Sequence, residues 1–166
     1  MSGSGRRTLD PMSDLEIVRT DYLDPVAREI VAAAMADLSG RYGGNGDDTP
    51  VDPAEFDPPT GSFLVAWLDG EPVACGGWRT HHQDPGVAEI KRVFTLDSAR
   101  RRGVGLAVLR AIEESARAAG RGRAILETGS RQPEAIALYE RVGYQLIPNF
   151  GHYKDEPDVR SYGRDL

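Results

Sequence analysis

Two spacings of apolar residues, near two and near four, take turns along this chain and divide it into strands and helices. Leu15 and Ile17 alternate with polar neighbours in LEIVRT, which predicts a first strand. Asp24 followed by Pro25 is a helix start, and Val26, Ile30, Val31, Ala34, Met35 and Leu38 carry an apolar helical stripe to an end near Gly40. Residues 62–68 (SFLVAWL) and 72–78 (PVACGGW) flank Asp69-Gly70 and predict a tight antiparallel hairpin. Gly76 and Gly77 in its second arm mark a bulge or a close approach by another group. The next strand, residues 87–96, holds an irregularity: Ile90 and Val93 are both apolar but three apart, and a regular pleat cannot place both on one face. One extra residue between them, a β-bulge, turns both inward and leaves a backbone N–H free for a ligand. Glu89 and Lys91 lie in the same strand, and pointing into water is the plain alternative to any role for them.

The stretch from Val93 to Ala119 organises the rest. It passes from Val93, Phe94, Thr95 and Leu96 through Arg100, Arg101 and Arg102 into Gly103, Val104, Gly105 and Leu106, and then into a long helix. Val104, Val108, Leu109, Ile112, Ala116 and Ala119 make the inner face of that helix. Arg110, Glu113, Glu114 and Arg117 make the outer one, with Glu113 and Arg117 spaced to pair at i,i+4. A helix N-terminus presents unpaired N–H groups and the positive end of the peptide dipoles. Glycines allow close approach and guanidinium groups add forked donors, so the turn suits a diphosphate. A tight turn with a solvated basic face accounts for the same residues. Gly120 stops the helix, and residues 124–127 (AILE) form a short strand before Thr128-Gly129. Pro133 opens a second helix, with Ala135, Ile136, Leu138, Tyr139 and Val142 inward and Gly143 as its cap. Tyr144, Leu146 and Ile147 predict one more strand and residues 159–166 a last one.

A length of 166 residues fits one domain over residues 13–166. The Gly/Ser/Arg-rich residues 1–12 read as a disordered leader or an expression remnant, with Met12 a candidate start. A net charge of -6 argues against general nucleic-acid binding and suits a cationic small substrate. Cys75 is the only cysteine, which excludes an internal disulfide and a thiolate zinc cluster; among apolar neighbours it reads as a buried structural thiol. His81 and His82 point apart on an extended backbone and lack a partner set, so no metal is expected. With no signal peptide and no apolar run long enough for a bilayer, the expectation is a cytoplasmic protein that does not engage a membrane. Residues 42–59 form a long loop carrying Asp47, Asp48, Asp52, Glu55 and Asp57, either a solvated acidic loop or a rim that attracts amines.

Arg100-Arg101-Arg102-Gly103-Val104-Gly105 fits the pattern Arg/Gln-x-x-Gly-x-Gly/Ala, and about thirty residues later come Gln132-Pro133-Glu134-Ala135-Ile136-Ala137-Leu138-Tyr139-Glu140 and Gly143-Tyr144. In this pairing the segment 88–146 resembles the GNAT superfamily of acetyl-CoA-dependent N-acetyltransferases. The resemblance implies an α/β fold of the α+β type. Its sheet is mixed, mostly antiparallel and of six or seven strands, with helices on both faces and a cleft between strands 87–96 and 124–127. It implies acetyl-CoA as cofactor, its pantetheine bonding the backbone of Val93 and Thr95 on either side of Phe94. The pyrophosphate then sits on backbone N–H groups from Arg101 through Leu106, with Arg100 opening the motif. Gln132 stands where family members usually carry an asparagine that contacts the cofactor. Tyr139 corresponds to the tyrosine near the cofactor sulfur, and Ala88-Glu89-Ile90 matches the segment that carries a general base in the histone-type branch. The family often dimerises, which makes a homodimer an expectation by analogy only.

The chemistry asks for such groups on its own account. An alkylammonium with a pKa of about 10.4 is no nucleophile at neutral pH until a base or a water path removes a proton, and Glu89 is the sequence candidate. Oxyanion charge on the thioester calls for a donor such as the Val93 N–H, and the departing thiolate for an acid such as Tyr139. A core tyrosine with a backbone partner is the competing reading of Tyr139. The expected activity is transfer of an acetyl group from acetyl-CoA to a primary amine of a small molecule in a ternary complex. A different acyl-CoA, a protein lysine or N-terminal acceptor, and a non-catalytic CoA-binding sensor stay open. Tyr22, Phe56, Trp78, Phe150, His152 and Tyr153 are candidate walls of the acceptor site, each equally explained by packing.

Overall fold

The computed structural model describes residues 14–166, so the leader expected over residues 1–12 lies outside them. In chain order the elements are β1 (Leu15–Arg19), α1 (Pro25–Tyr42), β2 (Gly61–Leu68), β3 (Glu71–His81), β4 (Asp84–Thr95), α2 (Val104–Ala118), β5 (Arg123–Gly129), α3 (Pro133–Arg141), β6 (Gln145–Ile147) and β7 (Val159–Asp165). They form one seven-stranded sheet in the order β1-β2-β3-β4-β5-β7-β6. Neighbours pair antiparallel except β4 and β5, which run parallel across the α2 connection. This is the mixed, mostly antiparallel sheet that the resemblance implied.

The alternation along β2 sorts the two cores. Leu64, Ala66 and Leu68 face α2, where Val104, Val108, Leu109, Ile112 and Ala116 are all buried. Phe63 and Val65 face α1, with Ala27, Ile30, Phe56 and Cys75. Helices therefore cover both faces. Each large aliphatic side chain buried along α2 contributes roughly 1.5–3 kcal/mol of apolar burial. The β2–β3 hairpin turns at Asp69 (φ 53°) and Gly70 (φ 81°), the two left-handed positions that a two-residue turn of this kind demands.

Three expectations change. Helix α1 runs through Gly40 to Tyr42 and ends at Gly43 (φ 77°), because a glycine facing solvent weakens a helix without stopping it. Two of the acids of residues 42–59, Asp47 and Glu55, are neither solvated nor a free rim, while Asp48, Asp52 and Asp57 are exposed as the solvated reading expected. Asp47 pairs with Arg92 and lies 3.9 Å from Lys91 Nζ, and Glu55 pairs with Arg79 at 3.3 Å and His82 at 2.8 Å. The loop is pinned to the sheet through cations distant in sequence. Glu113 is not on a solvated face: it is 2% exposed and accepts from Tyr144, Arg110 and Arg164, while Arg117 pairs with Glu114 instead.

Candidate functional site

β4 and β5 hold each other over three residue pairs only: Val87 with Arg123, Ala88 with Ala124, and Glu89 with Ile125. Beyond them the strands part, and a cleft of about 370 Å³ opens. Ile90 to Phe94 form one wall and Leu126 to Gly129 the other; Gln132, just ahead of α3, and Tyr139 within it line the cleft, as do Met35, Leu38 and Tyr42 of α1. The bulge expected between Ile90 and Val93 is present. Pairing with β3 jumps from Gly77–Lys91 to Cys75–Phe94, so Arg92 and Val93 stand opposite Gly76 alone. Arg92 takes a left-handed backbone (φ 61°), which costs a non-glycine residue about 1–2 kcal/mol. Its guanidinium is held by Asp47 and, at 3.3 Å, by the Thr49 carbonyl. Both Ile90 and Val93 pack into the α2-side core, as the pattern required.

At the start of α2, Gly103 (φ 78°) is the cap and Arg101 (φ 63°) precedes it in the same left-handed region. Gly103 carbonyl accepts from Ala107 N–H, so the N–H groups of Val104, Gly105 and Leu106 lie ahead of the first intrahelical bond. A Cβ on Gly105 would meet Thr95 Oγ1 at 3.5 Å and Leu138 Cδ2 at 3.6 Å, ordinary contact, so alanine fits there. The same contacts place the helix start beside the end of β4 and the middle of α3. Arg100 is turned back into the turn: its Nε donates to the Thr95 carbonyl at 3.1 Å, and Asp97 lies 2.6 Å away. Arg101 and Arg102 are exposed at the turn. Gln132 caps α3 without a side-chain bond to it.

Tyr139 is 6% exposed, and among the described residues its hydroxyl has no hydrogen-bond partner. Burial alone pushes the phenol up to about 12, so it keeps its proton at neutral pH. The competing reading, a hydroxyl satisfied by the backbone, is not what the fold contains. Cys75 is fully buried, its thiol donating to the Arg92 carbonyl at 3.3 Å, and burial pushes it up to about 12. It is no nucleophile.

Glu89 and Lys91 do not point into water; they are 4% and 6% exposed on the α1 side of β4. Glu89 Oε1 accepts from Arg79 at 3.2 Å, and Oε2 lies 3.3 Å from His81 Nδ1. The carboxylate opens on a second cavity lined by Thr49, His82, Phe150 and His152. Of the candidate walls, only Tyr153 lines the main cleft. Tyr22 and Phe56 stack at 4.8 Å in the α1-side core, and Trp78 is buried with its indole donating to Ser115 Oγ at 3.0 Å. Sequence reasoning missed Glu127, Asp47 and Arg92 as lining residues. A carboxylate inside the apolar run AILE was the available signal for Glu127. Among the described residues no three His, Cys, Asp or Glu side chains group as metal ligands, and no helix is long and apolar enough to cross a membrane.

Comparison with known proteins agrees with this geometry. The model of the acetyltransferase (GNAT) family matches residues 31–144. The chain is 40% identical over 95 residues to an IAA acetyltransferase of Azospirillum brasilense, covering 57% of this chain and 61% of that protein. It is 36% identical over 99 residues to the uncharacterized N-acetyltransferase YsnE of Bacillus subtilis (strain 168), covering 58% and 64%. The matches thus span less than two thirds of each relative's length. Among solved structures, a Klebsiella pneumoniae protein assigned as an acyl-CoA N-acyltransferase superposes with a TM-score of 0.75 at 28% identity, over 92% of this chain and 97% of that one. A GNAT family acetyltransferase from Elizabethkingia anophelis with acetyl-CoA bound shares the fold, with a TM-score of 0.65 at 16% identity over 93% and 99% of the two chains.

Proposed function

The chain belongs to the acetyltransferase (GNAT) family, and we propose that it transfers an acetyl group from acetyl-CoA to the primary amine of a small molecule. The observation that carries this reading is the parting of β4 from β5 beside the Arg92–Val93 bulge, with the start of α2 set against Thr95 at the end of β4. A thioester arm fits such a gap as an extra strand would, bonding the backbone of Val93 and Thr95. The N–H groups from Arg101 through Leu106 then serve the pyrophosphate. In this reading the Val93 N–H stabilises the oxyanion, and Tyr139 donates the proton that leaves with the CoA sulfur. The phenol lines the cleft, and its hydroxyl has no hydrogen-bond partner among the described residues, which supports that role. Glu89, with one oxygen on Arg79 and the other on His81, does not meet the amine directly.

A small amine is favoured over a protein lysine because Asp47 and Glu55 are occupied by Lys91, Arg92, Arg79 and His82. Asp48, Asp52 and Asp57 stay exposed, so the loop offers a basic partner three acids and not five. Calorimetry with coenzyme A, followed by a thiol-release screen of acetyl-CoA against polyamines, amino acids, aminoglycosides and lysine peptides, tests the proposal. Binding with turnover of one small-amine class is expected; no coenzyme A binding overturns it.

A further inference from the structure

Of the carboxylates on the α1 side of β4 and β5, those of β4 and the Asp47 loop are committed. Asp47 holds Arg92, Lys91 and the Thr49 hydroxyl, and Glu89 holds Arg79 and His81. Glu127 of β5 differs. Its Oε2 accepts the Tyr153 N–H at 3.2 Å, while Oε1 is buried without any hydrogen-bond partner. Ser161 faces Glu127 directly across the β5–β7 ladder and so shares its side of the sheet. It is 1% exposed, and its hydroxyl is likewise buried without a partner. Two polar atoms left without partners on one side of the sheet are a costly arrangement, and Glu127 itself lines the cleft together with Val93 and Tyr139. Gly151 keeps the place open to the carboxylate, since a Cβ there would collide with it.

The surroundings suit a base. Burial is the largest influence on Glu127 and raises its carboxyl above the ordinary glutamate value. Glu89 and Asp47 push the same way, while Lys91 and the Tyr153 N–H oppose them. Burial lowers the Lys91 ammonium below its ordinary lysine value, and Lys91 is shared with Asp47. A carboxylate of raised basicity removes an ammonium proton more readily than one tied into ion pairs.

We propose that Glu127 is the carboxylate that takes the acceptor's ammonium proton, an assignment that rests on the acetyl-transfer reading above. Glu127 accepts one proton from the ammonium, and the freed nitrogen lone pair forms the N–C bond to the thioester carbonyl. The C–S bond then breaks, and the thiolate takes the Tyr139 proton. The nitrogen's second proton restores the phenol, and Glu127 returns its own to water. Glu89 is a positioning residue in this scheme, fixing Arg79 and His81 on the neighbouring strand.

The test compares wild type with Glu127→Gln and Glu89→Gln. The assay is thiol release with whichever of spermidine, an aminoglycoside and a lysine peptide reacts fastest, from about pH 7 to about pH 10. Glu127→Gln is expected to lose about a hundred-fold or more in kcat/KM near neutrality, with the deficit closing as the free amine fraction rises toward its pKa of about 10.4. Its coenzyme A affinity stays at the wild-type value. A wild-type profile in Glu127→Gln, or the pH-dependent deficit appearing in Glu89→Gln instead, overturns the assignment while leaving acetyl transfer intact. Failure of the wild-type protein to bind coenzyme A removes the acetyl-transfer reading itself. Should no amine react, carboxyl-carbon NMR of Glu127 decides: titration at the ordinary glutamate value overturns the assignment, and an elevated one supports it.

Discussion

The Glu113 carboxylate accepts the phenolic hydrogen of Tyr144 at 3.0 Å, joining the middle of α2 to the residue that follows the α3 cap inside the core. Arg164 of β7 donates to the same oxygen at 2.8 Å, and Arg110 to the other at 3.2 Å. One buried charge thus ties α2, the α3 exit and the last strand. Tyr144→Phe is expected to cost about 1.5–3 kcal/mol, the range for a hydrogen bond to a charged group. Glu113→Ala should cost about 3 kcal/mol, the low end for breaking a buried pair, because Arg110 and Arg164 can turn to water. Thermal denaturation checks both, at about 2–4 °C per kcal/mol for a chain of this size.

Glu113 also marks where sequence pattern stops being informative. The stripe of α2 and the bulge near Val93 were legible because each is a spacing within one element, and spacing alone decides which face a residue takes. Glu113 sits at the edge of the apolar stripe, and its partners Tyr144 and Arg164 are 31 and 51 residues away, so helical periodicity assigned it to water. The loop acids failed in the same way: Asp47 meets Lys91 and Arg92 only because the sheet brings them together. The glycine turn was legible from local chemistry and the cleft from the family resemblance. Glu127, whose interest lies in one oxygen without a partner, was legible from neither.

At the front of α2, Gly103 separates backbone demand from ligand demand. Its φ of 78° favours glycine, but no atom lies within 4 Å of a Cβ built there. Gly103→Asn, which tolerates the left-handed region, should fold and retain coenzyme A binding. Gly103→Glu should fold similarly and lose at least tenfold in affinity, about 1.4 kcal/mol, by setting a carboxylate against the pyrophosphate. Calorimetry distinguishes the two. Equal affinity for both variants would place the diphosphate elsewhere.

Tyr139→Phe removes a hydroxyl that has no partner among the described residues, so the fold should keep its stability to within about 0.5 kcal/mol. If the phenol supplies the leaving proton, kcat should fall by about a hundred-fold while coenzyme A affinity is unchanged. Stopped thiol release alongside a melting curve reads both quantities. Unchanged turnover would return Tyr139 to a packing role against Tyr144 and Tyr162.

Asp47 gives the acid limit of stability a specific source. Burial works to raise its carboxyl, but Lys91, Arg92 and Thr49 outweigh it and hold the group below its ordinary value of 3.8. A carboxylate whose folded pKa is depressed stabilises the protein at pH values above its unfolded pKa, and that stability drains away as pH falls through the folded one. Asp47→Asn keeps the shape but strands Lys91 and Arg92, both 6% exposed, and should cost about 3–5 kcal/mol at neutral pH. Below the ordinary carboxylate range, wild-type Asp47 is itself becoming protonated, so the two proteins should converge. Urea denaturation from pH 7 down to pH 3 measures the gap. A gap that stays constant over that range would show that shape, and not the charge on Asp47, holds the loop to the sheet.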